Sequence, residues 1–210
     1  MAPTADPHTD GRVLRGRRTR EQVLDTAAQV ASVEGLEGLT IGRLAAELGM
    51  SKSGLFAHFG SKEELQLATT QAATDRFVDQ VIKPGLARPR GRQRLEGLFD
   101  GWLDYMRDGT FQGGCFFTAV RVEYDSRPAG PVRDAVAADH GRWLDVLERT
   151  VRGAQDTGEL RDDVDAGLLA FELDALGSAA NLHFQLHRDD VAFTRARAAL
   201  AARLDALAAA

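Results

Sequence analysis

The sequence is poor in several residue types, and each shortage excludes a class of protein. Cys115 is the only cysteine in 210 residues, so the chain has no internal disulfide framework. Only two isoleucines occur, and no run alternates apolar and polar residues as a half-buried β-strand does. No apolar run approaches the roughly 18 residues of a membrane span. Residues 1–10 lack the apolar core of a secretory signal. We therefore expect a cytoplasmic protein with no membrane partner.

Positive charge is also scarce overall. The chain carries 26 lysines and arginines against 31 aspartates and glutamates, a formal net charge of -5. Taken alone, this balance argues against a nucleic-acid partner. The charge is unevenly distributed, however, because residues 11–62 carry 8 − 5 = +3 and residues 63–210 carry 18 − 24 = −6. Such an asymmetry indicates a small nucleic-acid-binding unit joined to an acidic body.

Proline is absent from residues 8–83 and 132–210, so both stretches can hold long helices. Alanine, leucine, arginine and glutamate favour helices. We predict an all-α protein of about nine helices, with Pro84 and Gly85 ending the fourth. The predicted ranges are 19–34, 41–48, 52–58, 62–83, 93–107, 115–124, 132–155, 164–187 and 191–207.

The segment from Leu44 to Phe59, LAAELGMSKSGLFAHF, has the pattern of a helix-turn-helix pair. Gly49 allows the turn, and Ser51 is a good N-cap for the second helix. Similar pairs also occur in helical bundles that do not bind DNA. Five arginines precede the first helix in an arm that either follows DNA phosphates or is a solvated tail.

These features divide the chain into three predicted segments. Residues 1–18 form a basic flexible arm, and residues 19–65 form a three-helix, helix-turn-helix DNA-binding domain. Residues 66–210 form a larger helical domain, to which the apolar helices and aromatic residues described below assign ligand binding and dimerisation.

Residues 20–67 closely resemble the TetR family of bacterial transcriptional regulators. The stretch TIGRLAAELGMSKSGLFAHFGSKEEL, residues 40–65, carries the most specific part of this resemblance. The likeness covers roughly a quarter of the chain, because the rest matches only in helix number and length. It implies a homodimer that binds a pseudo-palindromic operator in double-stranded DNA. It also implies a repressor that an unknown small-molecule effector releases.

The resemblance assigns DNA-binding roles residue by residue. Lys52, Ser53 and Gly54 occupy the places of the family's base-facing residues. Backbone-facing or helix-positioning places are held by Thr40, Arg43, Ser51, Phe56, His58 and Lys62. Phe56 lacks the hydroxyl of many members, so we expect it to pack on a sugar or a thymine methyl. Lys52 is the strongest candidate for direct readout, with guanine O6 and N7 as its partners. The alternative for Lys52 is a solvated helix residue, and the alternative for His58 is a structural role.

The last two helices are the predicted dimer interface. The helix ending at His187 is apolar nearly all round, which indicates a neighbour beyond its own core. The final helix offers Leu200, Leu204 and Leu207 at i, i+4 and i+7. We predict a two-fold four-helix interface, and a purely intramolecular bundle is the alternative.

Half of the 14 aromatic residues lie within residues 99–124, a pattern typical of a ligand cavity or of ordinary core packing. Val136, His140, Trp143 and Leu147 share one face of the predicted helix 132–155. His140 on this stripe is either a core histidine or a polar contact in that cavity. The predicted ligand-binding residues are Trp102, Tyr105, Phe111, Cys115, Phe116, Phe117, Arg121, Tyr124, His140, Trp143, Glu172, Asn181 and Phe184.

Other features point less clearly to a function. His183 and His187 have a metal-binding spacing but no evident third ligand, so neither a metal nor a cofactor is expected. Cys115 is either a thiol sensor or a small buried side chain. The arginine-rich segment 83–95 is a solvated turn or a second basic patch. No nucleophile–base pair or phosphate-binding loop favours an enzyme. The alternatives to a regulator are a helical enzyme and a ligand-binding dimer without sequence-specific DNA binding.

Overall fold

The computed structural model describes the backbone of residues 7–209 and the side chains from Leu14 onward. Nine helices occupy this range, and the prediction of an all-α protein is confirmed. The fourth helix has three consecutive parts, the second of which is a π-helical turn. The helices are α1 (Pro7–Glu34), α2 (Ile41–Glu47), α3 (Lys52–Phe59), α4 (Lys62–Phe77, Val78–Ile82 and Lys83–Leu86), α5 (Arg92–Arg107), α6 (Phe116–Tyr124), α7 (Pro131–Asp156), α8 (Ala166–His187) and α9 (Val191–Ala206).

Helix α1 begins twelve residues before the predicted start at Thr19. A flexible arm was therefore the wrong expectation for residues 7–18, which are helical, while residues 1–6 lie outside the described range. Pro7 suits the first turn of a helix, where its missing N–H has no helical partner to lose. Arginine and leucine then continue the helix, since no further proline interrupts it.

Helix α4 continues past the proline that was expected to end it. The segment Lys83–Leu86 is helical although Pro84 lies within it. Proline normally removes one hydrogen bond and clashes with the carbonyl four residues earlier. Here the turn before Pro84 is π-helical, and its wider ring gives the proline room. The other helix ends differ from the sequence prediction by two residues or fewer.

One hydrophobic core joins all nine helices, and the leucines of α9 belong to it. Leu200, Leu204 and Leu207 are 3%, 0% and 7% exposed within the single chain. The prediction that these leucines form the dimer interface was therefore wrong. The i, i+4, i+7 spacing marks an apolar face, but it does not distinguish a neighbouring helix of the same chain from a partner's helix.

Two glycines in long helices have opposite surroundings. A Cβ at Gly177 in α8 would lie 2.0 Å from Cζ3 of Trp102, whereas a Cβ at Gly141 in α7 would meet nothing within 4 Å. The indole of Trp102 therefore requires a glycine in the helix that it contacts.

We expect Gly177→Ala to lower the free energy of unfolding by about 1–3 kcal/mol, because the added methyl overpacks the core. The matched change Gly141→Ala should raise it by about 0.5–1 kcal/mol, since alanine is the better helix former. Urea denaturation followed by circular dichroism measures both. Two changes of the same sign would contradict the assigned packing of Trp102.

Candidate nucleic-acid interface and ligand cavity

The ends of α2 and α3 are fixed by side-chain caps. Thr40 Oγ1 accepts the N–H of Arg43 at 3.2 Å, and Ser51 Oγ accepts the N–H of Gly54 at 3.0 Å. Between the helices Gly49 has φ +64°, a conformation that favours glycine. The sequence Gly49-Met50-Ser51 therefore produces the turn and starts α3 at Lys52.

Helix α3 buries one face and presents the other. Leu55 and Phe59 are buried, whereas Lys52, Ser53 and Phe56 are exposed. Phe56 is 53% exposed, whereas most phenylalanines are covered by other parts of the protein. The exposed face thus carries a cation, a hydroxyl and an apolar ring, which are groups that contact base edges and thymine methyls in a major groove.

The cations around α3 differ in their partners. Arg43 Nη2 donates to Glu34 at 2.6 Å, and Lys62 Nζ donates at 2.8 Å to both the carbonyl and the carboxylate of Glu37. These hydrogen bonds lower the pKa of Glu34 and the pKa of Glu37. Lys52 has no hydrogen bond or ion pair with any described residue, so it can contact DNA without first leaving a carboxylate.

His58 contributes its backbone to the contact between α1 and α3. Its carbonyl accepts a hydrogen bond from Arg20, whose guanidinium lies 4.3 Å from the ring centre of Phe59. The imidazole itself is half-buried. Arg20 therefore positions α3 against α1, a role that the sequence did not reveal.

The loop between α1 and α2 is hydrogen-bonded to α6. The carboxylate of Glu123 accepts the backbone N–H groups of Leu36 and Glu37 at 2.7 and 2.8 Å. Tyr124 donates its hydroxyl proton to Glu37 Oε1 at 3.1 Å. A Cβ at residue 35 would lie 2.5 Å from Glu123 Oε2, so Gly35 is needed for this approach.

A second contact joins α1 to the segment that precedes α6. Gln29 donates to the carbonyl of Thr110 at 2.9 Å and accepts the N–H of Gln112 at 3.0 Å. Ser32 Oγ accepts the N–H of Gly113 at 3.0 Å. The helices that present α3 are thus held to the larger helical body at two places.

A cavity of about 220 Å³ lies among α4, α5, α6, α7 and α8. Six of the predicted ligand-binding residues line it: Trp102, Cys115, Phe117, Arg121, His140 and Trp143. Ten further residues complete the lining: Thr74, Phe77, Val78, Ile82, Val136, Asp139, Arg142, Val146, Arg149 and Asp174.

Aromatic rings form much of the cavity wall. The ring of Trp143 lies 5.2 Å from that of Phe77 and 5.4 Å from that of Trp102, both edge to face. Phe77 also packs edge to face on Phe117 at 5.6 Å. Both indole N–H groups are buried and meet no acceptor among the described residues.

A polar cluster stands at one side of the cavity. Arg121 Nη1 lies 3.0 Å from Asp174 Oδ2, and Arg121 Nη2 donates to Ser178 at 2.9 Å. His140 Nε2 lies 3.2 Å from the same Asp174 oxygen, so His140 is a polar contact of the cavity wall. Burial raises the pKa of Asp174, but the contacts with His140 and Arg121 outweigh it and hold the pKa below its ordinary value.

Seven predicted ligand-binding residues do not line this cavity: Tyr105, Phe111, Phe116, Tyr124, Glu172, Asn181 and Phe184. Tyr124 lines a neighbouring open groove, and the first three pack as core aromatics. Each of the last three has a partner within the chain.

Glu172 is paired with Arg203 of α9 at 2.7 Å. Asn181 accepts the N–H of Cys115 at 2.8 Å, and the ring of Phe184 lies 4.8 Å from that of Phe193. These contacts correct the prediction, because polar or aromatic residues of α8 were expected to face the ligand and instead join helices.

The most important residue that the sequence did not single out is Phe77, whose ring contacts three other aromatic rings of the core. Its position in the long α4 gave no sign that it faces a cavity. Of the stripe Val136, His140, Trp143 and Leu147 on α7, the first three line the cavity and Leu147 is buried in the core.

Two further searches cover the part of the chain that the structure describes. There, no helix is both long and apolar enough to cross a bilayer. No group of three or more histidine, cysteine or acidic residues within residues 14–209 is arranged to hold a metal ion. The ring centres of His183 and His187 lie 4.6 Å apart, with the ring planes tilted by 46°.

Both parts of the chain match models of known families. Residues 23–69 match the model for bacterial regulatory proteins of the tetR family, and residues 91–200 match the tetracyclin repressor-like C-terminal domain. The HTH-type transcriptional repressor AcnR of Corynebacterium efficiens is 30% identical over 162 residues, 75% of this chain and 77% of its own. The HTH-type transcriptional regulator TcmR of Streptomyces glaucescens is 26% identical over 82% of this chain and 76% of its own.

Solved structures share the fold. A TetR transcriptional regulator from Chloroflexus aurantiacus has a TM-score of 0.84 at 26% identity, covering 93% of this chain and 98% of its own. AibR in complex with isovaleryl coenzyme A and operator DNA has a TM-score of 0.67 at 22% identity, and the match covers 86% of this chain and 96% of the AibR chain. The exposed face of α3 and the helical body behind it therefore define a DNA-binding transcriptional regulator.

The chain belongs to the TetR family. Its matched relatives AcnR and TcmR are transcriptional regulators rather than enzymes.

We expect Lys52→Ala to remove about 1–3 kcal/mol of discrimination between an operator and random DNA, because it removes a direct base contact. The operator is a duplex selected from random sequences by the wild-type protein, and fluorescence anisotropy measures affinity for it. Lys83→Ala is the matched control, since Lys83 is exposed and bound only to Asp79 of its own helix. Unchanged selectivity in Lys52→Ala would rule out this readout.

Proposed function

We propose that the protein is a cytoplasmic repressor that binds a pseudo-palindromic operator as a homodimer and leaves it when a small molecule fills the aromatic cavity. The helix-turn-helix unit, about residues 19–65, reads the DNA, and residues 66–210 bind the ligand and the partner. One observation carries this proposal: α6 contributes Phe117 and Arg121 to the cavity and Glu123 to the loop that precedes α2. A change at the cavity can therefore reach α3.

The exposed apolar stripe on α8 supports a dimer through the last two helices. Its residues recur every three or four positions along one face: Leu168, Phe171, Ala175, Ala179, Leu182 and Leu186. Phe171 is 65% and Leu186 70% exposed in the single chain. Beside them α9 exposes small residues, among them Ala198 and Ala202, which allow another helix to approach closely. The proposed interface uses the α8 stripe together with the exposed alanine face of α9, because the leucines of α9 are buried within the chain.

Release by a ligand follows from linkage. A ligand that binds better to one arrangement of the helices shifts the population toward it. Two recognition helices must lie about 34–36 Å apart to enter successive major grooves, so a modest rotation of each reading unit weakens operator binding. AibR was solved in complex with isovaleryl coenzyme A and operator DNA, so a protein with this fold can bind both a small molecule and DNA.

We expect Phe171→Asp to convert the protein from dimer to monomer in sedimentation velocity, because it places a charge in an apolar interface. The wild-type protein should select an inverted repeat from random duplexes, and the variant should bind it far more weakly. Val122→Asp is the control, since Val122 is 69% exposed but lies on α6. A monomeric wild type, or selection of no sequence, would contradict the proposed function.

We expect Glu123→Ala to weaken operator binding although Glu123 lies outside the recognition helix, because the loop before α2 loses its two hydrogen bonds to α6. Asp125→Ala is the matched control: it removes the same charge from the neighbouring turn. Anisotropy titrations with the selected operator measure both. Equal affinity of the two variants would show that the effect is one of net charge alone.

A further inference from the structure

The two carboxylates that line the cavity are both occupied: Asp174 by Arg121 and His140, and Asp139 by Arg142. The guanidinium of Arg121 is likewise occupied, because it donates to Asp174 and Ser178. The rest of the wall is largely aromatic, so it fits an apolar body and holds no carboxylate ready to pair with a cation.

The mouth of the cavity is positively charged. Arg149 lines the cavity and is exposed, and no carboxylate among the described residues forms an ion pair with it. Arg149 also lines an adjoining surface groove together with Arg90 and Arg94. Arg90 is paired with Asp156, while the guanidinium of Arg94 is held by the carbonyl of Arg88, which leaves its charge uncompensated.

We propose that the ligand of this cavity is an amphipathic anion. This inference rests on the proposed function and specifies its effector. The apolar part packs among the aromatic rings of the wall. The carboxylate or phosphate group lies at the mouth against Arg149. An ammonium ligand is disfavoured, because both carboxylates of the wall are occupied and the mouth already carries positive charge.

Four probes that share a naphthalene ring system distinguish anionic, neutral and cationic ligands. They are 2-naphthoate, 2-naphthyl phosphate, the neutral 2-acetylnaphthalene and 2-naphthylmethylammonium. Calorimetry on the full-length protein gives each dissociation constant. We expect an anion to bind about fivefold more tightly than the ketone, and the ammonium to bind most weakly. The tighter of the two anions identifies the head group.

The two tryptophans of the chain provide a site-specific readout. Both line the cavity, so the two indole cross-peaks of a ¹H–¹⁵N spectrum report its occupancy. The anions should shift both peaks. Arg149→Gln should remove the fivefold advantage of the anions and leave the ketone unchanged. Arg152→Gln is the matched control, because Arg152 is exposed on the same helix, pairs with Glu148 and does not line the cavity.

Three results would overturn the ligand class: ammonium binding as tight as anion binding, equal effects of the two arginine variants, or no binding by any probe. Operator binding is measured separately on the selected duplex. A protein that binds the operator but ignores the anions contradicts the ligand class alone. A protein that binds the anions but selects no DNA sequence contradicts the proposed function alone.

Discussion

The carboxylate of Glu123 is the contact on which the arrangement of the two functional parts depends. It accepts two consecutive backbone N–H groups at 2.7 and 2.8 Å, from residues 87 and 86 positions earlier in the chain. Bonds from amide groups to a carboxylate are stronger than those between neutral groups. Gly35, with φ +77°, turns the chain so that these N–H groups converge and leaves the space that the carboxylate fills. The end of α1 and the start of α2 are thereby placed relative to α6.

Helix α6 is short, and its polar residues face different partners. Arg121 contacts Asp174 and Ser178 of α8, whereas Glu123 contacts the loop before α2. A nine-residue helix cannot bend much within itself, so a displacement at Arg121 moves Glu123 as well. The same α8 exposes the stripe with Phe171. The cavity, the proposed dimer face and the DNA-binding unit are thus joined through the short helix α6 and the long helix α8.

Local chemistry allowed much of this fold to be predicted. Ser51 caps the helix that it was expected to cap, Thr40 caps the preceding helix, and Gly49 makes the expected turn. The early start of α1 and the passage of α4 through Pro84 were missed, because each depends on a balance between weak helix signals and tertiary packing. The cavity lining was predicted only in part, because it too depends on tertiary packing. Periodicity identified the α7 stripe with Trp143, but it does not reveal which helix a polar side chain such as Asn181 will contact.

Charge explains how an acidic chain can act on DNA. The acidic excess lies after residue 62, and it is repelled by phosphate, which favours approach by the basic unit. Within that unit Arg43 and Lys62 are neutralised by Glu34 and Glu37, so they add little to attraction until they exchange partners. Exchange with phosphate keeps the hydrogen bonds of the cation but leaves its carboxylate unpaired near the DNA, so each exchange costs free energy. Lys52 needs no exchange. The arrangement limits non-specific attraction to DNA while leaving Lys52, the cation that we expect to face the bases, available, and this favours sequence discrimination over bulk affinity.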